Sequence, residues 1–338
     1  MVYTHAVVGL GPAGIFTLAC IPKHALATTI VIEPQAVGGT LASHYGAVVA
    51  NIPKSTILDA LRKIPNWTAF PLLEHYREEE CPLLADVCRQ IRELIAEDLA
   101  RVTFRTKRMT ALQVSPAGWR ITLEGEVLEA QKVFLCVGAT PKTLDLPVPH
   151  IPLHVALNAP LLKHYISPAD TIVVFGTSHS GTLILKHLKT IGCVRVTALH
   201  KGNTPFRFAR DGDTEGIKQE SAAIADEILM GVWGPNTPRL VSCDDFSAAY
   251  RAVLQATHVI YAVGFEKPTM RYTTMDGEER YLRFRPATND FEDVHNLWGF
   301  GIGFPSLYTG THGNQYPDVG FGGFIDAIQL RGISTKGG

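Results

Sequence analysis

With 338 residues, the chain has material for two domains, each with its own core. Its 31 basic and 32 acidic residues leave a net charge of −1, so no polycationic character argues for nucleic acid or an anionic membrane surface. A composition that is 46% hydrophobic and 19% charged is that of an ordinary soluble globular protein. Six scattered cysteines (Cys20, Cys81, Cys88, Cys136, Cys193 and Cys243) have neither metal nor disulfide-framework spacing, which suits a reducing, cytoplasmic setting without a metal site. No apolar run reaches the roughly eighteen residues a membrane helix needs.

The chain opens on an apolar strand, His5–Val8, followed by Gly9-Leu10-Gly11-Pro12-Ala13-Gly14, a helical stretch from Ile15, and a second apolar strand, Thr29–Ile32, ending on Glu33. It lacks a basic leading segment and is punctuated by Gly9, Gly11, Pro12 and Gly14, so it reads as part of the mature fold and not as a secretion signal. Strand, G-x-G-x-x-G, helix, strand and acid in register form a dinucleotide-binding fingerprint. Gly9 permits the tight turn, Gly11 close approach to a pyrophosphate, and Gly14 close packing of helix on strand, while Pro12 and Ala13 lead to the helix, whose N-terminus presents free N–H groups to the anion. Glu33, nineteen residues beyond Gly14, is placed to accept ribose hydroxyls. An acid there repels a 2′-phosphate, so this first site suits FAD or NAD.

Next come Val37-Gly38-Gly39-Thr40-Leu41 and Ala50-Asn51-Ile52-Pro53-Lys54-Ser55. Together with the fingerprint, these segments resemble the flavoproteins with two dinucleotide-binding domains, the superfamily of thioredoxin reductases, disulfide reductases and flavin-containing monooxygenases. The resemblance implies that Gly39 and Thr40 pass close to the flavin. It also implies that Asn51, with Lys54 beside it, serves the reactive edge of the isoalloxazine, where an amide can hydrogen-bond oxygenated flavin or a retained nicotinamide. Locally, Asn51 could equally cap the turn before Pro53.

Residues 56–100 read as helices, with Leu84, Val87, Ile91, Leu94 and Ile95 at helical spacing within Leu83–Leu99. Thr110–Val114, Trp119–Leu123 and Val127–Ala130 read as a β-meander, followed by a separate buried strand, Lys132–Val137, that exits through Gly138-Ala139-Thr140-Pro141. In the superfamily such an exit leaves the first domain, with Gly138 beside the cofactor.

A second copy of the opening pattern follows: strand Thr171–Phe175, then Gly176-Thr177-Ser178-His179-Ser180-Gly181, a helix over Thr182–Thr190, and strand Cys193–Leu199. Ser178 stands where the middle glycine would be, and the strand ends on His200-Lys201, with Phe206-Arg207-Phe208-Ala209-Arg210 beyond. Cations there would select the 2′-phosphate of NADPH, so Gly176, Ser178, Gly181, His200, Lys201 and Arg207 are expected to bind it. Between Asp211 and Asp245, glycines and prolines including Gly212 and Gly216 suggest loops around a helix near Ser221–Met230. Strand Ala256–Val263 then exits through Gly264, echoing Gly138.

The resemblance implies an α/β fold of two Rossmann-like, three-layer ββα dinucleotide-binding domains, with the NADPH domain inserted in the FAD domain. Residues 1–150 form the first part of the FAD-binding domain, 151–268 the NAD(P)H-binding domain and 269–338 the C-terminal part of the FAD-binding domain. Gly301 stands where disulfide reductases carry a Gly-Asp that binds the FAD ribityl chain, but no acid follows it. Gly320 opens a last helix, ending at Leu330, whose N-terminus is expected to face the flavin pyrimidine and favour the anionic reduced ring.

The function implied is that of an FAD-dependent NAD(P)H oxidoreductase, hydride passing from NADPH to FAD and on to an unidentified acceptor. The chain has no C-x-x-C or C-x-x-x-x-C for a dithiol relay and no F-x-G-x-x-x-H-x-x-x-[YW] signature of N-oxygenating and Baeyer-Villiger enzymes. A monooxygenase acting on O2 and a small substrate, and a cysteine-free reductase of a small oxidant, both stay open. The alternative is a non-catalytic flavin-binding redox sensor or interaction module. The expected partner is a small-molecule substrate or electron acceptor, with no nucleic acid and no membrane, and the sequence leaves monomer and homodimer open.

Overall fold

The computed structural model describes residues 1–209, 216–310 and 313–331; Arg210 and Gly212 of the sequence reading lie outside them. Its main elements are β1 (Val2–Val8), α1 (Pro12–Cys20), β2 (Thr29–Ile32), α2 (Lys54–Leu61), α3 (Leu84–Leu94), β3 (Thr103–Arg105), β4 (Met109–Ser115), β5 (Gly118–Leu123) and β6 (Glu126–Leu135). After these come β7 (Thr171–Phe175), α4 (His179–Ile191), β8 (Arg195–His200), α5 (Gln219–Leu229), β9 (Arg239–Ser242), α6 (Phe246–Gln255), β10 (His258–Tyr261), β11 (Leu297–Gly299) and α7 (Phe321–Leu330).

The chain divides into two compact units. The first comprises Met1–Gly46, Ile52–Ala139 and Lys267–Gly338, and the second Ala47–Asn51 and Thr140–Glu266. The second unit is thus inserted in the first. Its limits fall at 139/140 and 266/267 rather than at 150/151 and 268/269, because Thr140–Pro141 pairs antiparallel with Phe265–Glu266 where the chain enters and leaves it. The five-residue Ala47–Asn51 segment also belongs to this unit, which the sequence does not suggest.

In the first unit, β3, β2, β1, β6 and β11 run parallel, each paired with the next. β6 is one continuous strand, not the two expected. Its first half pairs antiparallel with β5 as the end of the meander, and Val133–Leu135 pairs parallel with β11. Trp119, Val133, Leu135, Phe291 and Leu297 fill the core against this sheet. α1 begins at Pro12, ahead of Ile15, and stops at Cys20, because Ile21 precedes Pro22 and is extended (φ −68°, ψ 133°).

In the second unit the parallel order is β9-β8-β7-β10, with His150–Ile151 at the edge. α4 starts three residues earlier than expected, with Ser178 at its N-cap, and ends at Gly192 in the left-handed conformation (φ +92°). The helix expected near Ser221–Met230 is α5.

Candidate dinucleotide sites

The two glycine turns are built alike. Gly9 donates to Ile32 O and Gly176 to Leu199 O, each at 2.8 Å, and the exit strands close the other side through Cys136 N to Val8 O and Ala262 N to Phe175 O. This register equates Gly9 with Gly176, Glu33 with His200 and Gly138 with Gly264. Gly9 (φ +92°) and Gly176 (φ +97°) have the left-handed backbone that favours glycine, and a Cβ on either would collide with the carbonyl of Cys136 or Ala262. A Cβ on Gly14 or Gly181 would strike the carbonyl of Gly9 or Gly176.

The middle position is different in kind. Gly11 (φ −67°, ψ −174°) and Ser178 (φ −75°, ψ −170°) share an extended backbone open to any residue. A Cβ on Gly11 would meet nothing closer than Gly38 O at 3.9 Å. The protein itself therefore does not require glycine there; only an approaching ligand would.

In the first unit further expected residues converge on this turn. Gly38 donates to Leu10 O at 2.8 Å, and Gly39 (φ +55°) lies against Gly11, so that a Cβ on it would sit 3.1 Å from Gly11 Cα and 3.8 Å from Glu33 Oε2. Thr40 follows, exposed, in the short helix Gly39–His44. Gly301 (φ +83°) carries its loop over the first turn of α1, where a Cβ would come within 2.7 Å of Ala13 Cβ. Gly138 (φ +74°) has open space at its Cβ position, and Gly320 is the exposed N-cap of α7, which packs on α1 with Phe321 edge-on to Phe16 at 5.2 Å. A side chain at Gly11 or Gly138 would thus meet little of the protein, which leaves open space beside the first turn.

Over 96% of its length, the chain is 26% identical to the monooxygenase AgnR1 of Paecilomyces divaricatus, covering 95% of that protein. Among solved structures it is similar to the bacillithiol disulfide reductase Bdr (YpdA) of Staphylococcus aureus, with TM-score 0.62 and 15% identity over 99% of this chain and 100% of that one. It is similar too to a double variant of a flavin monooxygenase from Stenotrophomonas maltophilia, with TM-score 0.63 and 15% identity over 98% of both chains. No protein-family model matches. The chain has the fold of the two-dinucleotide-binding-domain flavoproteins.

In this flavoprotein fold the two strand ends carry opposite chemistry. Glu33 is buried, and its carboxylate accepts the N–H of Leu10 at 2.6 Å and of Gln35 at 2.8 Å. An ionised carboxylate has about four lone-pair sites, so two remain for ribose hydroxyls. His200, its counterpart, is buried with no hydrogen-bond partner at Nδ1 among the described residues. A buried polar atom without a partner is costly, and a ligand oxygen at the strand end would satisfy it. Lys201 and Arg207 are exposed beyond it, while Thr177 Oγ1 fastens the turn to the Pro205 carbonyl.

Two expectations are corrected. Lys54 is not a free ammonium beside Asn51: it is buried at the start of α2, donating to Tyr76 O at 2.7 Å and paired with Glu78 at 3.0 Å, and so it ties α2 to the 76–80 loop. The positive end of α7 is not left open for an anionic ring. Asp318 Oδ1 accepts the Gly320 N–H at 3.2 Å, and its carboxylate rests where a Cβ on Gly323 would stand. That acid offsets the helix dipole, and its placement two residues before Gly320 was the signal the sequence offered. Asn51 is exposed in the second unit. His179, to which the sequence assigns no role, has its Nδ1 2.6 Å from the hydroxyl of Ser221 on α5.

No disulfide links any of the six cysteines, all of them among the described residues. Burial pushes the Cys20 thiol up to about 11 and those of Cys88 and Cys136 up to about 12, which keeps them protonated and unreactive at neutral pH. Among the described residues no group of three or more His, Cys, Asp or Glu could hold a metal ion, and no helix is long and apolar enough to cross a membrane.

Proposed function

We propose that this protein is an FAD-dependent oxidoreductase that takes hydride from NADPH and works as a monooxygenase, with Glu33 holding the adenosine ribose of FAD and His200, Lys201 and Arg207 holding the 2′-phosphate of NADPH. The observation that carries the choice of acceptor is the likeness over nearly the full length to a monooxygenase; the thiols remove only a dithiol acceptor from the choice. With no cysteine pair and the buried thiols protonated, electrons have no dithiol route out of the protein. Dioxygen needs none.

When bound, FAD supplies hydride acceptance and the reaction with O2; the balance is NADPH, H⁺, O2 and substrate giving NADP⁺, water and oxygenated substrate. The chain's own contribution is positional. The N–H groups opening α1 and α4 receive pyrophosphates, Glu33 accepts ribose hydroxyls, and Asn51 offers an amide that donates and accepts at the reacting centre.

The test is anaerobic reduction of the yellow protein by NADPH and by NADH, followed by air and assay of hydrogen peroxide. NADPH is expected to bleach the flavin at least about tenfold faster than NADH, given two charge-assisted contacts to the 2′-phosphate. Equal rates would overturn the assignment of His200, Lys201 and Arg207. Failure of both nucleotides would overturn the enzyme reading and leave a flavin-binding module. Peroxide matching NADPH consumed one for one with every oxygenation substrate class tried would favour an oxidase over a monooxygenase.

A further inference from the structure

α3 packs along the short helix Gly39–His44 and the residues flanking it, and two contacts fix how the pair is laid. At one end Ala85 N donates to Gly46 O at 3.0 Å. At the other, a Cβ on Gly38 would stand 3.7 Å from Arg92 Cδ. Ala85 and Arg92 lie about two turns apart on one face of α3, so the last turn of this helix, which carries Arg92, comes to the Gly38 end. That end is the one that rests on the first glycine turn, through Gly38 N to Leu10 O at 2.8 Å and the approach of Gly39 to Gly11.

Arg92 is exposed and makes no hydrogen bond or ion pair among the described residues, whereas Arg89 on the same helix is paired with Asp86 at 3.0 Å. Its methylenes lie along Gly38, and the guanidinium begins one bond beyond the atom in contact. The first turn has a use for that charge. Glu33 is an acid, and a pyrophosphate at this turn would add a second anion with backbone N–H groups alone to receive it. α3 also brings the negative end of its dipole to Gly38, which a cation in its last turn offsets. We propose that Arg92 is a further FAD-binding residue, its guanidinium reaching past Gly38 to the pyrophosphate at the first turn. This rests on the reading of that turn as the FAD site. Arginine suits the task because its planar fork can donate two parallel bonds to phosphate oxygens.

The experiment is release of FAD from the diluted yellow protein, followed by the recovery of flavin fluorescence at low and at high salt, in the parent and in Arg92→Met, Arg92→Lys, Arg89→Met and Glu33→Gln. Arg92→Met keeps the apolar stem and removes the charge. It is expected to release FAD about tenfold faster than the parent at low salt, the loss of one charge-assisted contact. At high salt the two should differ by less than about threefold, because screening weakens the parent's contact. Arg92→Lys restores a point charge without the fork and should recover part of the difference. Arg89→Met should release FAD as the parent does, since Arg89 is occupied with Asp86. Should Arg92→Met fail to fold, Arg92→Gln serves in its place.

Release from Arg92→Met at the parent's rate in low salt overturns the proposal. So does release that is faster by the same factor at both salt concentrations and is not slowed in Arg92→Lys, which would leave Arg92 only the packing of its stem against Gly38. Failure of the first-site reading is seen separately. If Glu33→Gln speeds release while Arg92→Met does not, the first turn holds FAD without Arg92. If neither variant changes the release, or the parent carries no flavin, the site reading falls and the proposal with it.

Discussion

The first and second glycine turns share a backbone and keep glycine at both ends, while the four residues between and the strand end all differ. Gly11 is replaced by Ser178, and Glu33 by His200, while the carbonyl collisions that demand glycine at positions 9, 14, 176 and 181 are the same in both. What the chain keeps is what its own backbone requires. Among the changes are the middle position and the strand end, so comparing those two separates folding constraints from recognition.

The collision at the third glycine gives the largest expected effect. Gly14→Ala places a methyl against the Gly9 carbonyl, and neither backbone can yield without breaking the bond from Gly9 N to Ile32 O. The expected product is colourless, without FAD. Gly181→Ala does the same damage at Gly176 and should give yellow protein that NADPH reduces more than about a hundredfold more slowly, an interaction loss of a few kcal/mol. Absorbance near ~450 nm, where oxidised flavins absorb, and stopped-flow reduction check the pair. A Gly14→Ala protein that keeps its flavin would break the equivalence.

Next in size are the strand ends. Glu33→Gln leaves an amide where the carboxylate accepted two backbone N–H groups, which costs about 2–3 kcal/mol and lowers FAD affinity accordingly. His200→Glu copies the first strand end into the second and is expected to reduce the preference for NADPH over NADH by about tenfold or more through repulsion of the 2′-phosphate. Retained preference in His200→Glu would assign selection to Lys201 and Arg207 alone.

A third difference lies beneath the turns. His5 is buried in β1, stacked on Phe134, at the register position that Ile172 takes in β7. Burial, with the neighbouring charges of Lys132 and His24, lowers its pKa from 6.5 to about 4. Because the folded value lies below the unfolded one, folding excludes a proton; the neutral ring's contribution is whole above about pH 6.5 and is lost as pH falls through 4. His5→Ile should remove up to roughly 2–3 kcal/mol of this acid sensitivity, read as a flatter Tm profile between pH 6.5 and 4.

These comparisons also mark what the sequence makes legible. Glycine turns and strand-end charges are local, so spacing alone places them, and the nested second copy follows from their repetition. The ties of Lys54 are hidden from the sequence because its partners, Tyr76 and Glu78, stand more than twenty residues away in a loop without periodicity. The contact of His179 with Ser221 is hidden from the sequence because Ser221 stands 42 residues further along, on α5. The split of β6 failed for a simpler reason: one strand can end a meander and enter a parallel sheet without any change in its side-chain pattern.

The smallest expected effect tests the comparison most sharply. Ser178 makes no capping hydrogen bond through its side chain and sits in a backbone conformation that Gly11 shares, so Ser178→Gly should lower the Tm by no more than about 2 °C, the entropy of one glycine, and change NADPH affinity less than about threefold. The reverse exchange is not symmetric. In Gly11→Ser the new Cβ meets only Gly38 O at 3.9 Å, so the protein without flavin should melt within about 2 °C of the parent, as a substitution free of collision does. Any loss of FAD affinity then measures how closely the pyrophosphate approaches the first turn. Equal tolerance at both turns would mean that the first also admits a side chain beside its ligand, and that the glycine at 11 reflects neither folding nor recognition.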